Sequence, residues 1–165
     1  MPDVRYLTEE EEKVMSPALQ NLSLMFTENT HRMADYEKNK YMPAVREICQ
    51  TYLPYLQVYH TFCKENPQRA DDAAKALAAS FMEQAGAFID GRMYGKKWKD
   101  RISMEQYRMV MAAYVVPCLK EMKAENGQTL IDEICRAWGR RYPDFPFQQT
   151  DAATLQNGFK LRLFF

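Results

Sequence analysis

The feature that most restricts what this chain can fold into is the spacing of its apolar residues, which recur every three or four positions along almost the whole length. In the stretch 104–122, Met104, Tyr107, Met111, Tyr114, Val115, Cys118, Leu119 and Met122 fall on one side of an α-helix, because 3.6 residues per turn brings i, i+3, i+4 and i+7 onto one face. A strand needs alternation of period two, and only Lys160-Leu161-Arg162-Leu163-Phe164-Phe165 shows it. The sequence therefore predicts an all-α fold.

Local start and stop signals divide the helical pattern. Thr8-x-x-Glu11 fits a capping box, and Glu9, Glu10 and Glu11 sit in the first turn, where the helix dipole favours negative charge. Ser16-Pro17 predicts a restart of that helix, whose stripe is Val14, Ala18, Leu22, Met25, Phe26 and Met33. A second helical stretch opens at Pro43 and carries Val45, Ile48, Cys49, Tyr52, Leu56, Tyr59 and Cys63. Pro54 should kink or split it near Tyr52.

After Asn66-Pro67, the alanine-rich run from Asp71 to Asp90 has strong helix propensity and a face of Ala74, Leu77, Phe81, Ala85 and Phe88. Residues 91–101 form a turn-rich connector, and Ser103 with Gln106 caps the next helix. That helix, Met104 to about Ala124, is the candidate central element. Pro117 should bend it and Asn126-Gly127 should end it. Leu130, Ile131, Ile134, Cys135, Ala137 and Trp138 mark a further helix stopped by Gly139 and Pro143.

Asp144-Phe145-Pro146-Phe147 is a loop with aromatic anchors, followed by a short helix from Thr150 or Asp151 to about Gly158. No linker, low-complexity tract or internal repeat divides the chain. The expected architecture is one domain over residues 1–165, a helical bundle of five to seven helices with proline-kinked members, and an apolar C-terminal tail at 159–165.

Composition limits what such a bundle does. A globule of 165 residues buries roughly 70% of its unfolded surface, enough for a substantial core. Lys plus Arg equals Asp plus Glu at 22 each, so no overall field steers nucleic acid or an anionic membrane toward it, and any such binding needs a local patch. Cys49, Cys63, Cys118 and Cys135 are far apart, with no C-x-x-C and with apolar neighbours. They read as reduced, buried thiols of a cytoplasmic protein rather than as two disulfides. The N-terminus has no basic and then apolar segment of a secretory signal. The longest apolar run, Met109 to Leu119, is 11 residues and contains Pro117, whereas a membrane span needs about 20.

No polar constellation has the spacing that catalysis or metal binding requires. His60 and Cys63 share a helix face, but a structural zinc site needs four ligands and no second pair follows; His31 with Asp35 is weaker still. There is no strained Gly-x-Ser-x-Gly turn, no phosphate-binding glycine loop and no His-Glu-x-x-His, and Asp71-Asp72 reads as a helix start. The sequence thus points to no catalytic residue, no metal set and no cofactor. An enzyme whose pocket is assembled across helices stays open, because local motif reading does not detect one.

Two segments interleave bases with aromatics: Arg92, Tyr94, Lys96, Lys97, Trp98, Lys99 and Arg101, and then Arg136, Trp138, Arg140, Arg141 and Tyr142. The bases suit phosphates and the rings suit exposed nucleobases. The competing reading makes Trp98 and Trp138 core anchors and leaves the charges solvated. Eleven Met and ten Tyr line either an ordinary core or an adaptable groove for a peptide or small ligand.

From Met104 onward the order of features resembles the helical region found upstream of the CFI-box in certain uncharacterised bacterial proteins. The pieces that carry the likeness are Glu105-Gln106-Tyr107, Tyr114-Val115-Val116-Pro117, Ala137-Trp138-Gly139-Arg140-Arg141-Tyr142-Pro143 and Asn157-Gly158-Phe159-Lys160. The box that follows Gly-Phe-Lys in that family is absent here. The resemblance implies a bacterial, cytoplasmic, helical protein of unknown activity and transfers no functional residue.

On these grounds the first expectation is a non-enzymatic module that binds another protein or a second copy of itself. Leu161, Leu163, Phe164 and Phe165 form the contact, since an apolar segment costs about 25 cal/mol per Å² to leave in water. The alternative is nucleic-acid or phosphate binding through residues 92–101 and 136–142.

Overall fold

The computed structural model describes residues 5–33, 41–93, 103–116, 119 and 125–148, and all regular structure among them is helical. Helix α1 spans Glu9–Met33 and begins on the capping box read from the sequence. The Thr8 N–H donates to Glu11 Oε1 (2.9 Å) and the Glu11 N–H to Thr8 Oγ1 (3.1 Å). Pro17 does not restart the helix, which runs unbroken through it. A proline here removes one donor, that for the Lys13 carbonyl, and the buried row Met15, Ala18, Leu22, Met25 and Phe26 holds the turns on either side. Val14, expected on that row, is 58% exposed, and Met15 takes its place one residue and about 100° away.

Helix α2 spans Tyr41–Glu65, opening two residues before Pro43 and continuing through Pro54 as one element. Its described buried face is Tyr52, Leu56, Tyr59, Phe62 and Cys63. Asn66 ends it, with backbone N–H and Nδ2 both donating to the Phe62 carbonyl. A 3-10 turn at Pro67–Arg69 leads into α3, Ala70–Met93, which takes in residues 91–93 that the sequence assigned to the connector.

Helix α4, Met104–Val110, opens on the expected Ser103/Gln106 capping box. It passes into a π-helical turn at Met111–Val115, where the Val116 N–H reaches back to the Met111 carbonyl. Helix α5 spans Glu125–Arg141, so Asn126 and Gly127 lie in its first turn rather than ending the element before it. Gly139 lies within it, and the helix stops before Pro143.

Cross-helix contacts fix the directions. Glu11 meets Arg69, Leu19 meets Ser80 and Ser23 meets Gln84, so α1 and α3 run the same way. Tyr52 donates to Glu28, which joins α2 to α1 on its other side. Helix α5 packs on α3, its last turn meeting Gly86 and Asp90. Among the described residues, α1 packs against α2, α3 and the stretch from Met104, whose Tyr107, Val110, Met111, Ala112, Val115 and Val116 are buried, and α3 packs against α5 as well.

The core gathers on Phe26, whose ring lies 6.0 Å from Phe81, 6.4 Å from Phe88, 6.0 Å from Tyr107 and 6.4 Å from Trp138, largely edge-on or tilted. Among the described residues, Ser23 and Thr30 are the buried polar side chains. Both are satisfied, by Gln84 Oε1 at 2.7 Å and the Phe26 carbonyl at 3.0 Å. No described helix is long and apolar enough to cross a membrane.

Candidate functional site

A broad concavity among the described residues follows from which side chains α3 turns outward. Phe81, Leu77 and Ala85 point to the core, which leaves Ala76, Ala79, Ser80 and Glu83 on the opposite side at i, i+3, i+4 and i+7. Three of these are short, so the surface of α3 lies below its flanks. On one flank stand Glu12 and Leu19 of α1 with the segment Arg5–Leu7; on the other stand Ala137, Arg140 and Arg141 of α5. The result is an open trough of about 990 Å³ with an apolar floor. Polar stitching keeps α1 close: Ser80 Oγ donates to the Leu19 carbonyl at 2.7 Å, and Gln84 Nε2 donates to the same oxygen at 3.2 Å.

Both signs of charge line the rim. Arg5 pairs with Glu12 at 3.1 Å and Glu9 at 3.8 Å, and Arg141 with Asp90 at 2.7 Å. Arg140 and Glu83 make no ion pair among the described residues. Of the other sequence candidates, Arg136 is exposed and pairs with Glu133. The backbone of Arg92 lies in the last turn of α3, but its side chain lies outside the described residues. Lys96, Lys97, Trp98, Lys99, Arg101, Leu161, Leu163, Phe164, Phe165, Cys118, Pro117 and the short helix expected at 150–158 lie wholly outside the described residues, as do the side chains of Cys49 and His31.

Trp138 is fully buried, with its indole N–H donating to the Phe145 carbonyl at 2.8 Å. It anchors the core and offers no face to a nucleobase. Phe147 of the same loop is buried, whereas Phe145 is 43% exposed. Cys63 and Cys135 are free thiols. Burial pushes the Cys63 thiol up, against the pull of its hydrogen bond with Tyr59. His60 is half-buried, and no group of three His, Cys, Asp or Glu side chains converges among the described residues.

Two clusters escaped the sequence reading because their partners are far apart in the chain. In the first, Arg69 reaches Glu11 through Nε (2.9 Å) and Nη2 (2.8 Å), Asp72 at 2.6 Å and the Tyr6 carbonyl at 2.9 Å. The guanidinium and then the Thr8 N–H hold the Glu11 carboxyl well below its ordinary range, at about 2. In the second, Tyr142 donates to Asp90 at 3.0 Å and Arg141 Nε to the Tyr142 oxygen at 3.2 Å. Burial pushes the Tyr142 phenol up to about 12.

Gly86 makes the second cluster possible, since a Cβ there would lie 2.3 Å from Arg141 Nε. Gly86→Ala should displace Arg141 from Asp90. The loss of a largely exposed pair, about 0–1 kcal/mol, is offset by a helix-propensity gain of about 1 kcal/mol, so stability is expected to change by less than about 1 kcal/mol. A double-mutant cycle of Arg141→Ala with Asp90→Asn should then show coupling in the wild-type background and none in Gly86→Ala.

No family model matches this chain, and no curated protein or solved structure shows significant similarity to it.

Proposed function

We propose that this chain is a helical binding module whose partner is a protein, with the trough over α3 as its receiving surface and Leu161, Leu163, Phe164 and Phe165 as its own apolar contact. The observation that supports this reading is the make-up of the trough: an apolar floor beneath a rim carrying both signs of charge. That surface suits a polypeptide segment with apolar side chains on one face and mixed charges at its edges. It suits a phosphate backbone less well, because two of its three bases, Arg5 and Arg141, already face carboxylates and Glu12 and Glu83 stand among them. The binding module is best placed in the cytoplasm of a bacterial cell, in keeping with its reduced-thiol composition and with the family resemblance of residues 104–160.

Removal of residues 161–165 tests the reading. Burial of those side chains against protein predicts a lower melting temperature by calorimetry or a smaller mass by light scattering. A truncated chain unchanged in both measurements overturns it. Binding of single-stranded DNA or RNA in a mobility-shift assay at low salt, weakening steeply as salt is raised, would place the function with nucleic acid instead.

A further inference from the structure

Resting on the reading of the trough as a protein-binding surface, we infer that its first occupant is this chain's own C-terminal segment, 149–165, bound within the same molecule. The described chain reaches Gln148 just after Phe147, which is buried against Trp138 at 6.4 Å, in the last turns of α5. Those same turns supply the trough wall of Ala137, Arg140 and Arg141. The segment is therefore delivered at the edge of the surface.

Length and chemistry both fit. Residues 159–165, if extended, span about 23 Å at roughly 3.3 Å per residue, whereas the floor from Ala76 to Glu83 is only about 10 Å at 1.5 Å per helical residue. Residues 149–158 leave ample tether. Phe159, Leu161, Leu163 and Phe165 alternate with Lys160 and Arg162. The apolar row matches the apolar lining of the trough, Ala76, Ala79 and Met82 of α3 with Leu7, Leu19 and Ala137 on its flanks. The two bases match Glu83, which lines the trough and has no ion-pair partner among the described residues. Asp151, three residues beyond Gln148, matches Arg140, equally without an ion-pair partner there. A tether this short presents the segment at millimolar effective concentration, which favours the molecule's own trough over that of a second copy. A partner protein then binds by displacing the segment, so the tail sets the threshold for binding.

Photo-crosslinking of the full chain reads this directly. With p-benzoylphenylalanine introduced as Ala79→p-benzoylphenylalanine, irradiation at micromolar concentration should give a product of monomer mass whose peptide map joins position 79 to residues 149–165. The same probe at Val14, exposed away from the trough, should not. Glu83→Lys in the Ala79-probe background should cut the yield at least fivefold, and adding Lys160→Glu with Arg162→Glu should restore it. Circular dichroism melts confirm that each variant is folded, and a probe at Glu83 replaces the one at Ala79 should the latter unfold the chain. Yields no higher at the trough than at Val14, or links formed solely between two molecules, overturn the inference. Should that happen while removal of 161–165 still destabilises the protein, the tail seats elsewhere and the protein-binding reading stands.

Discussion

Trp138→Ala is expected to lower the melting temperature by on the order of 10–15 °C, the largest effect of any single substitution considered. The side chain is fully buried and touches three other rings, Phe26 at 6.4 Å, Tyr142 at 5.1 Å and Phe147 at 6.4 Å. Truncation of a buried Trp to Ala costs about 3–5 kcal/mol from lost transfer energy and the cavity left behind. For a chain of this size each kcal/mol moves the midpoint by about 2–4 °C. The indole N–H also holds the Phe145 carbonyl, so the loop 142–148 loses its anchor in the same step. Trp138→Phe separates the two contributions: it keeps most of the apolar volume and removes the hydrogen bond, and should cost about 1–3 kcal/mol. Thermal unfolding followed by circular dichroism measures both. A Trp138→Ala protein melting within about 2 °C of wild type would show that this ring is not at the centre of the core.

Trp138 also shows where sequence reading stops. Its place on a helix was legible from Leu130, Ile131 and Ile134, which share its periodicity, and both capping boxes were legible because their donors and acceptors lie three residues apart. Signals of that range survive in any fold. Errors came where a local rule met a competing tertiary term. Pro17 reads as a helix start, but packing of Met15 and Ala18 outweighs one missing donor. Val14 and Met15 are both apolar, and which of them is covered depends on where the neighbouring helices lie. Asn126-Gly127 reads as a helix end, yet it lies in the first turn of α5.

The trough was beyond local reading for a different reason. Ala76, Ala79 and Ser80 were visible as small residues, but their meaning depends on α1 and α5 standing on either side of α3. The basic residues teach the same lesson in reverse. Arg141 looks free beside Arg140 in the sequence, whereas its carboxylate partner, Asp90, lies 51 positions away. Charge clusters judged without their partners overstate the field available to a ligand.

Arg69 holds the second large effect, because one guanidinium joins the chain before α1 to the start of α3. Arg69→Ala removes the bidentate contact to Glu11, the bond to Asp72 and the bond to the Tyr6 carbonyl together. The midpoint of unfolding at pH 7 should fall, and limited proteolysis should cut first within residues 5–8, which should stay intact in the wild type at the same protease dose. The pH dependence identifies the charge responsible. In the folded protein the Glu11 carboxyl ionises at about 2 rather than 4.5, so the folded state holds fewer protons than the unfolded state between those values. The stabilisation is thus fully present above about pH 4.5 and is lost as the pH falls through about 2. Glu11→Gln keeps an oxygen for the Thr8 N–H but no charge, so its melting temperature lies below wild type at pH 7, and the gap should close between about pH 4.5 and 2. Paired melts across that interval decide the matter: two profiles that stay parallel down to about pH 2 mean that the Arg69–Glu11 charge contact contributes nothing to folding.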